Sequence, residues 1–219
     1  MAARAVVFDV MGTLFDLGPA RERLRSLGAP DAALEAWFGR LLHSATSLTL
    51  AGEFRPFREL AESTLRTALA QFELDEDAAG EVLEALGQLE PYPDVAAAFD
   101  VLEQAGIRIV TLTNGGEEHT RKLLDSAGLG GRVEAVLTVD EVGAYKPDPR
   151  PYRHAAERLA LPPESLTLIA AHAWDVVGAR AAGLDAVWVD RLERRWPFPT
   201  AEPEKHASGL EQAARLAVE

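Results

Sequence analysis

From residue 91 to residue 189 the chain repeats one pattern, a helix and then a β-branched strand, and this rhythm constrains the fold more than any other feature. Pro91-Tyr92-Pro93-Asp94 opens it with a rigid turn ending on a helix-capping residue. The spacing predicts a helix over 94–105 stopped by Gly106, a strand over 107–112, a helix over 117–127 and a strand over 133–139. A helix over 151–161, a strand over 166–171, a helix over 175–182 stopped by Gly183 and a strand over 186–189 follow. The apolar run Ala5-Val6-Val7-Phe8 adds a fifth strand. Strands alternating with helices predict an α/β fold: a parallel, Rossmann-like sheet with helices on both faces.

The segment between the first strand and this rhythm reads differently. Trp37, Leu41, Ala45 and Leu48 recur at helical spacing after a Pro30-Asp31 start signal. Leu60, Thr64, Ala68 and Phe72 mark a second helix entered at Pro56, and Val82, Leu86 and Leu89 a third. The expected organisation is an α/β domain formed by 1–15 and 91–219, with a helical domain, 16–90, inserted between them. Beyond the last strand, Pro197, Pro199 and Pro203 predict a loop, and 209–218 a terminal helix. The basic stretch 191–195 also contains Glu193 and reads as a solvated loop.

Composition excludes several function classes. A formal net charge of −13 over 219 residues argues against nucleic-acid or anionic-membrane partners. With no cysteine there are no disulfides, thiolate metal sites or cysteine nucleophiles, which fits a cytoplasmic protein. No apolar stretch approaches the ~20 residues of a membrane helix. An exposed apolar face on the helical segment could pair two copies as a homodimer.

In a parallel sheet of this kind, residues just after each strand meet at one edge, where ligands bind. Here that edge receives Asp9, Met11, Gly12 and Thr13 after the first strand, and Thr113, Asn114 and Gly115 after the second. Asp140, Glu141 and then Tyr145-Lys146-Pro147 follow the third, and His172, Trp174 and Asp175 the fourth. A carboxylate, an ammonium that keeps it ionised and small donors for an anion suit nucleophilic catalysis by a carboxylate. His172 reads as a hydrogen-bonding wall residue, with a base or a ligand as its other readings.

These motifs, in this order, resemble those of the haloacid dehalogenase-like hydrolases. Asp9-x-x-Gly12-Thr13 is similar to that family's first motif, Thr113-Asn114-Gly115 to its second, Lys146-Pro147 to its third and Ala173-Trp174-Asp175 to its fourth. The helical segment 16–90 falls where the family inserts its cap. Phosphatases of the family carry a second Asp, the proton donor to the leaving alkoxide, where this chain has Met11, and a metal-binding Asp where it has Ala171. The 2-haloacid dehalogenase branch needs neither, and Ala-Trp-Asp with Lys146-Pro147-Asp148-x-x-x-Tyr152 resembles that branch in particular.

The resemblance implies a hydrolase for small 2-substituted carboxylates, a small anionic substrate, with no cofactor required. Asp9 would form a covalent aspartyl ester, and water activated near Asp175 would hydrolyse it. Lys146 would keep Asp9 ionised, with Thr13 beside it. Thr113 and Asn114 would hold the substrate carboxylate, and Tyr152, which would also support Lys146, would join Met11, Phe38, Arg40, His172 and Trp174 as substrate-binding residues. The branch has a halide-binding Arg after a cap Trp; here Phe38 follows Trp37 and the nearest arginine is Arg40, roughly 200° further round a helix. Arg40 from a shifted helix, or the edges of Phe38 and Trp37, would take that role. The alternatives are a weak Mg²⁺-dependent phosphatase and a non-catalytic, metabolite-binding descendant.

Overall fold

The computed structural model describes residues 4–200 and 202–219. Among them, six parallel strands form one sheet in the order β3-β2-β1-β4-β5-β6: β1 Ala5–Phe8, β2 Arg108–Thr113, β3 Ala135–Thr138, β4 Leu166–Ala170, β5 Asp185–Val189 and β6 His206–Ala207. β1 is central and buried along its whole length, so both of its faces are apolar. The sequence-predicted strands are all present. β6 is an addition inside the segment read as a loop: two residues pair with Trp188 and Val189 at the sheet edge, too few to leave an alternating pattern.

Helices cover both faces, as the alternation requires. Val6 and Phe8 share one apolar cluster with α5 (Val95–Gln104), α6 (Glu117–Ser126) and α9 (Leu210–Val218). Ala5 and Val7 point the other way, into a cluster with α7 (Pro149–Leu159) and α8 (Ala173–Ala181). Asp94 ties three segments: its Oδ2 accepts from the Leu210 amide that starts α9 (2.7 Å) and from Arg191 (2.5 Å). The 191–195 stretch is therefore not simply a solvated loop. Arg191 is mostly buried and lies 4.1 Å from the Tyr92 ring centre, and the Glu193 carboxylate accepts the Ala173 amide at the start of α8.

The segment between β1 and α5 folds as four α-helices, α1 Gly18–Ser26, α2 Ala33–Leu50, α3 Phe57–Gln71 and α4 Ala79–Ala85, with short 3₁₀ turns around α4. α1 was not separated from its surroundings by the sequence pattern, since it buries only Ala20 and Leu24. Trp37 lies in the interior of this helical layer, its indole N–H donating to Ala61 O and Thr64 Oγ1. Tyr145 clasps the layer to the sheet. Its amide donates to Thr49 Oγ1 (3.1 Å), its hydroxyl to Arg55 O (2.7 Å), and its ring packs on Phe54. No helix among the described residues is long and apolar enough to cross a membrane.

Candidate active site

The carboxyl ends of β1, β2 and β4 meet where the chain order reverses about the central strand, the crevice in which open α/β sheets bind ligands. Asp9 follows β1 directly, its amide donating to Ile169 O (3.2 Å). The chain then turns sharply. Gly12 sits at φ +77°, and a Cβ there would lie 3.0 Å from both the His172 ring and Leu192, so this turn requires glycine.

Asp9 is 5% exposed and both its oxygens are engaged. Oδ1 accepts from Lys146 Nζ at 2.9 Å. Oδ2 lies 2.7 Å from Thr13 Oγ1 and 3.0 Å from His172 Nδ1. Thr13 Oγ1 accepts the Ala171 amide (2.9 Å), which directs its single hydroxyl hydrogen onto Asp9. Burial alone would raise the Asp9 pKa. The Lys146 charge and the His172 and Lys146 hydrogen bonds outweigh it and hold the group well below the usual carboxylate range. An ionised carboxylate only accepts, so His172 Nδ1 carries the hydrogen in this pair.

Lys146 is fully buried, and its ammonium is saturated: Asp9 Oδ1 (2.9 Å), Leu112 O (2.9 Å) and Asp175 Oδ2 (2.6 Å) take its three hydrogens. Burial opposes its charge, and the Asp175 and Asp9 carboxylates together keep it above the ordinary lysine value. The first turn of α8 supplies Asp175, which is wholly buried, with Oδ1 accepting from the Tyr152 hydroxyl of α7 at 2.5 Å. Burial pushes Asp175 up, with the Asp9 charge adding to that and Lys146 opposing it. α8 reaches this depth because Gly178 has no side chain: a Cβ there would lie 2.6 Å from Tyr152 Oη and 2.7 Å from Pro147 Cβ.

A small cavity of about 20 Å³ opens against Asp9. It has room for about one water. Met11, Phe38, Thr113, Asn114, His172 and Trp174 line it, as the sequence places them, together with Leu42, Phe57 and Gly115. His172 stacks between Phe38 and Trp174, at centroid distances of 5.7 and 5.3 Å. Asn114 Oδ1 accepts the Lys146 amide, so its Nδ2 is the end that can donate elsewhere. Leu42 was missed, although it stands four residues after Phe38 and so on the same face of α2.

Three expectations need correction. Arg40 does not reach the cavity: its Nη2 donates to Gln71 Oε1 at the end of α3. Its position two residues after Phe38 turns it to another side of α2. Tyr152 is buried behind the site and bonds to Asp175, and it does not line the Asp9 cavity. Asp175 likewise is wholly buried under Lys146, each of its oxygens holding one hydrogen bond, and it does not line the Asp9 cavity in which a water would stand.

The donor set does not fit Mg²⁺. A hard cation needs about six oxygens, yet the Lys146 ammonium already fills the space between the two carboxylates, and Ala171 offers no side-chain donor. No group of three His, Cys, Asp or Glu residues that could hold a metal ion occurs among the described residues.

A parallel sheet with a helical cap and a lysine-paired aspartate after its central strand defines a capped α/β hydrolase. The model of the haloacid dehalogenase-like hydrolases matches residues 3–183, and the chain belongs to that family. It is 32% identical over 217 residues to (S)-2-haloacid dehalogenase 1 of a Pseudomonas species, covering 97% of this chain and 96% of that one. It is 34% identical over 193 residues to (S)-2-haloacid dehalogenase 4A of Burkholderia cepacia, covering 86% and 83%. The L-2-haloacid dehalogenase of Xanthobacter autotrophicus, solved with chloropropionic acid covalently bound, superposes with a TM-score of 0.87 at 26% identity over 98% of both chains.

Proposed function

We propose that this hydrolase displaces halide from 2-halocarboxylates by way of an ester on Asp9, without a metal. The observation that carries the reading is an ionised Asp9 in an otherwise largely apolar cavity, beside a lysine with no hydrogen to spare. Halide leaves as an anion and needs no proton, which suits such a site. The names of the relatives support the same substrate class.

Asp9 Oδ1 has fewer partners than Oδ2 and is the attacking atom. It bonds to C2 of the substrate as the carbon–halogen pair departs on halide. Ring edges of Phe38 and Phe57, which carry partial positive charge, receive the halide in place of an arginine. Thr113 and Asn114 meet the substrate carboxylate. Oδ2 becomes the ester carbonyl oxygen, already faced by the Thr13 hydroxyl and the His172 N–H. Water attacks Cγ, the charge that develops on Oδ2 falls on these two donors, and the bond from Cγ to Oδ1 breaks. The 2-hydroxy acid leaves with one proton from that water, the other is released to solvent, and Asp9 is restored as a carboxylate carrying the water's oxygen.

In this reading 16–90 is the cap that closes the cavity, Asp175 and Tyr152 position Lys146, and the protein works in the cytoplasm. Incubation with 2-chloropropionate tests the reading. Chloride release is expected, with its complete loss in Asp9→Asn. No halide from a panel of 2-haloacids would overturn it.

A further inference from the structure

A second, larger cavity of about 380 Å³ adjoins the Asp9 cavity. The two share Met11, Phe57 and Gly115 as walls. Its size falls in the range of small-molecule sites, roughly 300–1,000 Å³, whereas the Asp9 cavity has about 20 Å³. Its apolar wall is Met11, Phe57, Ala61, Leu83 and Leu86, each less than a tenth exposed, from the first turn, α3 and the α4 region. Charged groups, among them Arg58, Glu117, Lys122 and Asp140, belong to the same cavity. Lys122 is paired with Glu118 and Glu117 with Arg121, so these charges are met within α6 and no excess of positive charge marks a subsite for a second anionic group.

We infer that this chamber receives the C2 substituent of the substrate, and that the preferred substrates are 2-halocarboxylates with an apolar chain of several carbons. The inference rests on the dehalogenase reading for its chemistry, but the chamber's affinity for an apolar chain is separate from turnover. A substrate whose carboxylate lies at Thr113 and Asn114 and whose C2 faces Asp9 has the larger chamber just beyond the shared wall of Met11 and Phe57. Met11 is unbranched and yields without a large rotamer cost. The reaction is unchanged by chain length: one water replaces one halide at C2, giving the 2-hydroxy acid, halide and a proton.

Two measurements test it together. Halide release is followed for 2-chloropropionate through 2-chlorohexanoate, and kcat/KM is expected to rise about fourfold per added methylene. In parallel, the melting temperature of the wild-type protein is followed with acetate and with hexanoate, which lack a leaving group. Hexanoate is expected to stabilise at a concentration at least tenfold below that of acetate. Leu83→Trp, or Leu86→Trp should the first fail to fold, fills the chamber and removes both dependences. A flat or falling series among acids that are turned over, with no preference for hexanoate, overturns the chamber and leaves the dehalogenase reading standing. Hexanoate stabilisation cancelled by Leu83→Trp, with no halide released from any acid, keeps the chamber and removes that reading. Neither response overturns both.

Discussion

At the scale of single residues, His172 is the hydrogen-bonding wall residue that the sequence suggests, and its partner gives that bond its weight. Its Nδ1–H donates to Asp9 Oδ2, which the proposed reaction turns into the ester carbonyl oxygen, with Thr13 on the same atom. Loss of one such donor costs about 10²–10³ in the rate of the step it serves. His172→Ala is therefore expected to slow ester hydrolysis by about that factor while displacement of halide falls less. Rapid mixing with 2-chloropropionate would show one equivalent of halide released in a burst, and mass spectrometry would show the ester on Asp9. Equal slowing of both halves, with no burst, would contradict this role. His172→Asn, which keeps an N–H donor, should recover part of the loss.

The elements show why some of the molecule was legible in the sequence and some was not. Five strands were readable because each carries a β-branched or apolar run ended by a polar residue, and those same ends located Asp9, Thr113, Lys146 and Asp175. β6 was not, because two residues carry no period. The partner of Arg40 was not, because helical spacing shows which way a residue is turned and not which side chain of a neighbouring helix, here Gln71 of α3, meets it. The close seating of α8 was hidden as well: Gly178 reads as an ordinary weak point in a helix, yet it is where α8 passes Tyr152 and Pro147. Alanine there would favour the isolated helix by about 1 kcal/mol, but overpacking costs about 1–3 kcal/mol and the contacts are with backbone and a buried ring. Gly178→Ala is expected to lower stability by about 1–2 kcal/mol in denaturant unfolding and to reduce kcat through displacement of Asp175 from Lys146. An unchanged midpoint and full activity would show that α8 can shift without cost.

Across the whole molecule, the helical layer and the sheet are joined at the site by a few polar contacts, and Tyr145 supplies two of them. Burial raises its hydroxyl well above the usual phenol range, so it remains a neutral donor to Arg55 O under any working condition. Tyr145→Phe removes that bond at a cost of about 1 kcal/mol. Amide hydrogen exchange is expected to quicken at residues 51–56 while the sheet stays protected; a uniform increase would mean that the two layers open as one unit. The clasp also lies next to Lys146 in the chain, whose own amide is held by Asn114. One peptide bond therefore separates the residue that fastens the helical layer from the residue that neutralises the nucleophile: Tyr145 bonds to Thr49 and Arg55, and Lys146 gives its hydrogens to Asp9 and Asp175.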